Sequence, residues 1–287
     1  MLECEIYLDS VFLKGPARVT VLMPGPTEAV MPEAFYRPGK KYKVLWLLHG
    51  GMNGNREWIY GTDIVEYVKE RRFLAVIPDG LNSDFANHPE FGEGYFFCDF
   101  FFRELMPFIH NWFPASERKE DNYLTGYSMG SAAVWSYGLL HPEKFEGIIP
   151  LSGAPADYSY LEPYRELTGA EFRALARAHP EKFPAGYGKP ETPIHLKEIN
   201  RIACFETVDA FLQSSENVIG RLREIKEEKV LPGVYLEGNA GTGMEDFQTV
   251  LKKAAAGRVF LKFTNENTHC FTFWNSTLKK ALDYFRI

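Results

Sequence analysis

The run Val44-Leu45-Trp46-Leu47-Leu48 constrains this chain most. It is five residues long, wholly apolar and bounded by Lys43 and by His49-Gly50-Gly51. A strand with one wet face alternates apolar and polar residues, and this one does not, so both faces must be covered. Leu74-Ala75-Val76-Ile77 has the same character. Further strands are expected at Glu5–Leu8, Arg18–Met23, Tyr123–Tyr127, Gly147–Leu151, Gly233–Glu237 and Arg258–Phe263. Amphipathic stretches at Asp63–Arg72, Asp99–Trp112, Ser131–Leu140, Ser215–Lys229 and Asp246–Ala256 alternate with them and read as helices. Alternation of this kind gives an α/β fold, a mainly parallel eight-stranded sheet flanked by helices. The first two strands, joined around Lys14-Gly15-Pro16, form an antiparallel edge.

One region breaks the rhythm. Between Leu151 and Gly233 no strand is evident, yet Tyr158, Tyr160, Tyr164, Phe172, Phe183, Tyr187 and Phe211 accumulate. Two readings stand: a surface insertion with its own small core, or a helical cap over the carboxyl ends of the strands, where ligands of such sheets bind. The 287 residues are read as one domain, with residues 156–217 as an aromatic-rich insertion within it. Aromatic residues make up 15% of the chain, 23 of them Phe, which raises the question of whether the rings fill a core or line a pocket.

Gly126-Tyr127-Ser128-Met129-Gly130 matches G-x-S-x-G, after one expected strand and before an expected helix. That context suits a nucleophile elbow, in which Ser128 adopts a strained backbone and the flanking glycines remove clashing side chains. A serine hydroxyl needs a base, and the base needs an orienting acid. In a strand–elbow–helix fold the chain order is serine, acid, histidine. His269, just past the last strand, is the candidate base; His141 ends the elbow helix, and His179 and His195 lie in the insertion. Asp246, in the loop after Gly233–Glu237, is the candidate acid, with Glu245 as its neighbour and competitor and a helix N-cap as its plain structural role. The amide of Met129 supplies one oxyanion donor, and Gly51 or Met52, in the glycine-rich loop after the third strand, supplies the second.

With these residues assembled, the chain resembles the esterase D-like branch of the α/β-hydrolases, which includes tributyrin-type carboxylesterases, S-formylglutathione hydrolases and acetylxylan or feruloyl esterases. The resemblance rests on Leu47-Leu48-His49-Gly50-Gly51-Met52-Asn53-Gly54-Asn55 followed by Trp58, on Asp121 to Gly130, on His141-Pro142-Glu143-Lys144-Phe145 and on Glu245-Asp246-Phe247. After His269 the family usually has tryptophan at the second and fifth positions, where this chain has Phe271 and Trp274. The resemblance implies a serine carboxylesterase acting on short-chain or aromatic acyl esters, including O-acyl groups on carbohydrates, through an acyl-enzyme. Two alternatives are an S-formylglutathione-type thioesterase and a catalytically silent binding module. Trp58, Phe271 and Trp274 are the expected substrate contacts.

No cofactor or metal is expected. Cys4, Cys98, Cys204 and Cys270 are scattered without metal-ligand spacing and read as reduced packing thiols. A net charge of −6 disfavours nucleic-acid binding, and no run is long and apolar enough for a membrane span. The start of the chain lacks the basic and apolar stretches of a secretory signal, so a cytoplasmic location is expected. A homo-oligomer is compatible with all of this.

Overall fold

The computed structural model describes residues 1–37, 39–151, 155–184, 193–224, 231–239, 244–254, 258–264 and 268–287, of which 239, 244–246 and 254 are described in backbone only. Its strands are β1 (Leu2–Ser10), β2 (Gly15–Met23), β3 (Val44–Leu48), β4 (Leu74–Pro78), β5 (Asn87–His88), β6 (Tyr95–Phe96), β7 (Asn122–Gly126), β8 (Gly147–Pro150), β9 (Gly233–Asn239) and β10 (Val259–Thr264). Eight form one sheet in the order β1-β2-β4-β3-β7-β8-β9-β10, and β5 and β6 form a separate two-stranded hairpin. All eight main strands fall where the sequence places them. The first two pair antiparallel in the register Ser10↔Gly15, and β2 also runs antiparallel to β4. The remaining contacts are parallel.

The apolar strands behave as their composition demands. Val44, Trp46 and Leu48 of β3 join one hydrophobic cluster, while Leu45 and Leu47 join a second on the opposite face. In β4, Leu74 and Val76 divide from Ala75 and Ile77 in the same way. This is the period-two alternation of a strand buried on both sides. Rings fill much of both layers: Trp46, Trp58, Phe73, Phe85, Phe97, Phe100, Phe101, Tyr127 and Tyr137 are all fully buried. The aromatic excess is therefore largely core.

Strand order fixes where a ligand can reach the sheet. From β3 the chain moves to β4 on one side, and from β7 it moves to β8 on the other. The crevice beyond the carboxyl ends of β3 and β7 is thus the switch point of the sheet. The loop beginning His49-Gly50-Gly51 leaves one of those ends and Tyr127-Ser128 leaves the other.

Helices differ from expectation in several places, short ones at Pro32–Phe35 and Glu57–Gly61 among them. The stretch expected at Asp99–Trp112 begins at Phe97, and its residues Phe100–Leu105 have the wider i→i+5 pitch. The helix expected over Ser215–Lys229 is seen at Val218–Glu224, beyond which residues 225–230 lie outside the described residues. The helix Phe271–Phe285, 15 residues long, is not among those expected. Trp274, Leu278, Ala281 and Leu282 of that helix pack in the second cluster, a stripe at spacings of three and four.

The insertion carries helices at Gly169–Ala178, Leu196–Ala203 and Val208–Leu212. A third hydrophobic cluster, drawn wholly from residues between Ala156 and Leu212, includes Tyr158, Phe172, Phe183 and Phe211. Thr168 caps the first helix in a reciprocal box with Glu171. The insertion thus has its own core. It also touches the body, through Arg173 on Glu90 at 2.9 Å and through Lys197 on Asp84 at 2.6 Å.

Candidate active site

Ser128 has φ 54° and ψ −118°, and the helix Met129–Leu140 starts immediately after it. A non-glycine residue in this region carries about 1–3 kcal/mol of strain, which persists only where neighbours enforce it. The glycines show how they do so. A Cβ on Gly126 would lie 2.6 Å from the backbone of Gly130, and one on Gly130 would lie 2.3 Å from the carbonyl oxygen of Leu48. The turn closes only because both lack a side chain. Gly130 N–H and Ser131 N–H donate back to the carbonyls of Tyr127 and Ser128, at 2.9 and 3.0 Å. Met129 therefore carries the first amide of the helix.

His49, fully buried, organises the loop after β3. Its Nδ1 lies 2.7 Å from the carbonyl oxygen of Gly50, and its Nε2 accepts from the amide of Gly80 at 2.9 Å. A carbonyl only accepts and an amide only donates, so the ring is neutral with its proton on Nδ1. Asp79 lies 3.4 Å from Nε2. Burial pushes the Asp79 carboxyl up, but the Leu81 amide, which donates to its Oδ1 at 3.1 Å, and the positive charge of Arg18 help to hold the pKa below the usual value. In the same loop Met52 takes a left-handed φ of 60°, and its N–H donates to Asn82 Oδ1 at 2.6 Å.

Tyr127, the residue before Ser128, ties these parts together. It is fully buried, and its hydroxyl accepts from Asn53 Nδ2 at 3.1 Å. A Cβ on Gly50 would strike its ring at 2.6 Å. Trp58 meets the same ring edge-on at 5.0 Å between centroids, Phe271 meets it at 5.2 Å, and Trp274 stacks on it at 4.4 Å. Trp274 in turn meets the His269 ring at 5.1 Å. One buried tyrosine thus brings the oxyanion-type loop, the elbow and the histidine loop to one place. Nothing local in the sequence marks Tyr127 for this role, because its partners are remote in the chain.

The expected substrate contacts are placed differently. Trp58 is 0% exposed and Trp274 4% exposed. Phe271 is half-buried against the same cluster, and its ring fills the space beside Gly61. Trp58 and Trp274 are thus core side chains, whereas Phe271 keeps part of its surface exposed. Phe271 and Trp274 belong to the apolar stripe of the Phe271–Phe285 helix. Asp246 lies in the first turn of the helix Met244–Ala254, but its side chain and that of Glu245 fall outside the described residues.

The four cysteines are free thiols. Among the described residues no group of three or more His, Cys, Asp or Glu is placed to hold a metal ion, and no helix is long and apolar enough to cross a membrane.

Comparisons with known proteins agree with this geometry. The family model named Esterase, described as "Putative esterase", matches residues 26–192. An acetyl esterase of Caldicellulosiruptor saccharolyticus is 24% identical over 266 residues, covering 86% of this chain and 88% of the relative. Among solved structures, a fluorophosphonate-binding serine hydrolase of Staphylococcus aureus superposes with a TM-score of 0.68 at 18% identity, covering 99% of this chain and 98% of its own. An S-formylglutathione hydrolase from the same organism gives a TM-score of 0.66 at 17% identity, covering 99% of each chain. Both structural likenesses establish the α/β-hydrolase fold. With more than half its length matched by the family model, the chain belongs to this esterase family and is a carboxylic ester hydrolase.

Proposed function

We propose that this esterase is a serine hydrolase that works through an acyl-enzyme on small acyl esters. The observation that carries the reading is the strained Ser128 at the switch point of the sheet, with His269 docked to the neighbouring Tyr127 through Trp274. Ser128 Oγ attacks the ester carbonyl while His269 takes its proton. The same histidine returns that proton to the departing alkoxide, and water then hydrolyses the acyl-enzyme by the reverse sequence. Asp246 is the proposed partner that orients the His269 ring and stabilises its protonated form.

The amides of Met129 and Gly51 are the proposed oxyanion donors. Of the two candidates in the loop, Met52 already gives its N–H to Asn82, which favours Gly51. The trans peptide whose carbonyl His49 holds also points the Gly51 N–H away from His49. A helix N-terminus and oriented amides of this kind can supply several kcal/mol to an oxyanion transition state.

We read residues 1–287 as one hydrolase unit, with 156–217 as a cap on its ligand-binding edge, and place the protein in the cytoplasm. The similarity to an acetyl esterase supports the reading that the acyl group is small. A fluorophosphonate probe tests the mechanism: it labels the wild type covalently and leaves Ser128→Ala unlabelled. Equal labelling of both proteins would place the nucleophile elsewhere.

A further inference from the structure

Beside Gly51 stand two polar side chains that the proposed chemistry does not use. An atom at its Cβ position would lie 3.6 Å from Asn82 Oδ1, 3.8 Å from Lys197 Nζ and 3.9 Å from Met129 Sδ. Only one of these groups belongs to the nucleophile elbow. Asn82 comes from the loop after β4, and Lys197 reaches down from the insertion, on the helix Leu196–Ala203. Lys197 Nζ pairs with Asp84 Oδ1 at 2.6 Å.

The segment carrying Asp84 is held in an unfavourable shape. Leu81, Asp84 and Phe85 have φ of 51°, 53° and 55°, in the region non-glycine residues avoid. The shape is enforced from two sides. Ser83 Oγ donates to the Gly80 carbonyl at 2.6 Å and accepts from the Phe85 amide at 3.1 Å. The Tyr137 hydroxyl donates to the Phe85 carbonyl at 2.5 Å. Strain maintained in this way next to a reaction centre marks a placed side chain. Asp84 also lines a cavity of about 320 Å³, together with Phe85, Tyr137, Arg201, Phe205 and Glu216. That volume lies within the roughly 300–1,000 Å³ that small-molecule sites occupy.

Charge decides what such a place can hold. Lys197 alone would draw an anion, but the Asp84 carboxylate at 2.6 Å cancels its charge and would repel one. What remains is an ammonium with N–H donors to spare, a carboxylate that accepts, and an amide that does either. A pair of neighbouring hydroxyls, each both donor and acceptor, satisfies that set. We propose that Lys197, Asp84 and Asn82 form a subsite beside the oxyanion loop that binds vicinal hydroxyls on the alcohol half of the ester. The subsite rests on the serine-esterase reading of the same centre. It makes the insertion a reader of the leaving group, through one lysine.

The test uses two esters of equal chain length, 1-monoacetylglycerol, which carries a vicinal diol, and n-propyl acetate, which carries none. Wild type is expected to prefer the first. Lys197→Met is expected to lower the ratio of kcat/KM for the two by about tenfold, mainly through KM for the diol ester, as suits the loss of a hydrogen bond to a charged group. Lys197→Arg keeps the cation and is expected to keep most of the preference. Thermal unfolding of each variant checks the fold. Turnover of both esters with no wild-type preference, or with a ratio that Lys197→Met leaves unchanged, would overturn the subsite alone. A Lys197-dependent preference for the anionic ester O-acetyl-lactate would also overturn it. No turnover of either ester and no fluorophosphonate labelling by wild type would overturn the esterase mechanism and the subsite with it.

Discussion

Gly130→Ala is the sharpest probe of the elbow, because one added methyl group must displace backbone. Its Cβ would lie 2.3 Å from the Leu48 carbonyl oxygen, 2.7 Å from the Leu48 carbonyl carbon and 2.8 Å from the His49 carbonyl oxygen. Carbon–oxygen contacts settle at about 3.3–3.6 Å, so the overlap is about 1 Å. None of the three atoms is the free end of a side chain. They belong to the carboxyl end of β3 and to the start of the loop held by His49. Overpacking costs about 1–3 kcal/mol, and unyielding backbone puts this site at the upper end. Alanine regains about 1 kcal/mol of helix propensity, leaving a net loss of about 2 kcal/mol. At about 2–4 °C per kcal/mol, Tm falls by about 4–8 °C. Separating helix from loop by a fraction of an ångström to 1 Å also moves Ser128 away from Gly51, the proposed oxyanion donor of the loop, so kcat/KM is expected to fall by about 100-fold.

The internal control lies two turns along the same helix. A Cβ on Gly138 would meet Ile148 Cδ1 at 3.0 Å and Cγ2 at 3.3 Å, both movable methyl groups. Gly138→Ala gains the same helix propensity against a smaller clash, so Tm is unchanged or rises by a degree or two and activity is kept. Circular dichroism melting and initial rates on p-nitrophenyl acetate read both variants. If Gly130→Ala matches Gly138→Ala in Tm and in rate, the steric account of the elbow is refuted.

Other outcomes follow from the same geometry. His269→Ala is expected to lower kcat by at least about 10³-fold with little change in KM. Between Asp246→Asn and Glu245→Gln, the first is expected to be the crippling change on p-nitrophenyl acetate; the reverse order would transfer the acid role to Glu245. Asn82→Ala removes the acceptor of the Met52 amide and frees its left-handed φ, so the proposed oxyanion loop loosens and kcat is expected to fall about tenfold or more. Glu237 supplies a pH test. Burial pushes its pKa up, but hydrogen bonds from Tyr235 and Lys280 more than offset this and depress it. A depressed carboxyl pKa adds stability above the unfolded value of about 4.3, and that stability is lost as pH falls through the folded pKa. The Tm advantage of wild type over Glu237→Gln is therefore expected to be full above about pH 5 and to close on further acidification; a gap that widens in acid would contradict the assignment.

Much of the architecture was legible because it is written in local periodicity. Val44–Leu48 had to be covered on both faces, and it is. The glycines around Ser128 announced a tight turn, and each is required by backbone contacts. The helix Phe271–Phe285 was missed because Phe271 and Trp274 follow the candidate base and invited a pocket reading. Their spacing to Leu278, Ala281 and Leu282 already described a buried helical stripe. Other features had no local signal at all. Asn82 on the Met52 amide and Lys197 on Asp84 join segments that only the fold brings together. No propensity distinguishes those side chains from any other surface amide or lysine.

The position of Tyr127 has a consequence for how activity arises in time. Its ring is the common wall against which the oxyanion-type loop, Trp58 and the helix bearing Phe271 and Trp274 come to rest. The last of these contacts joins the middle of the chain to its far end, a loop closure of high entropic cost. Strands β3 and β7 can pair and bury their apolar faces before that closure, but the histidine cannot be presented until it is complete. During refolding, secondary structure should thus return ahead of esterase activity, and the interval between them measures the seating of one aromatic ring.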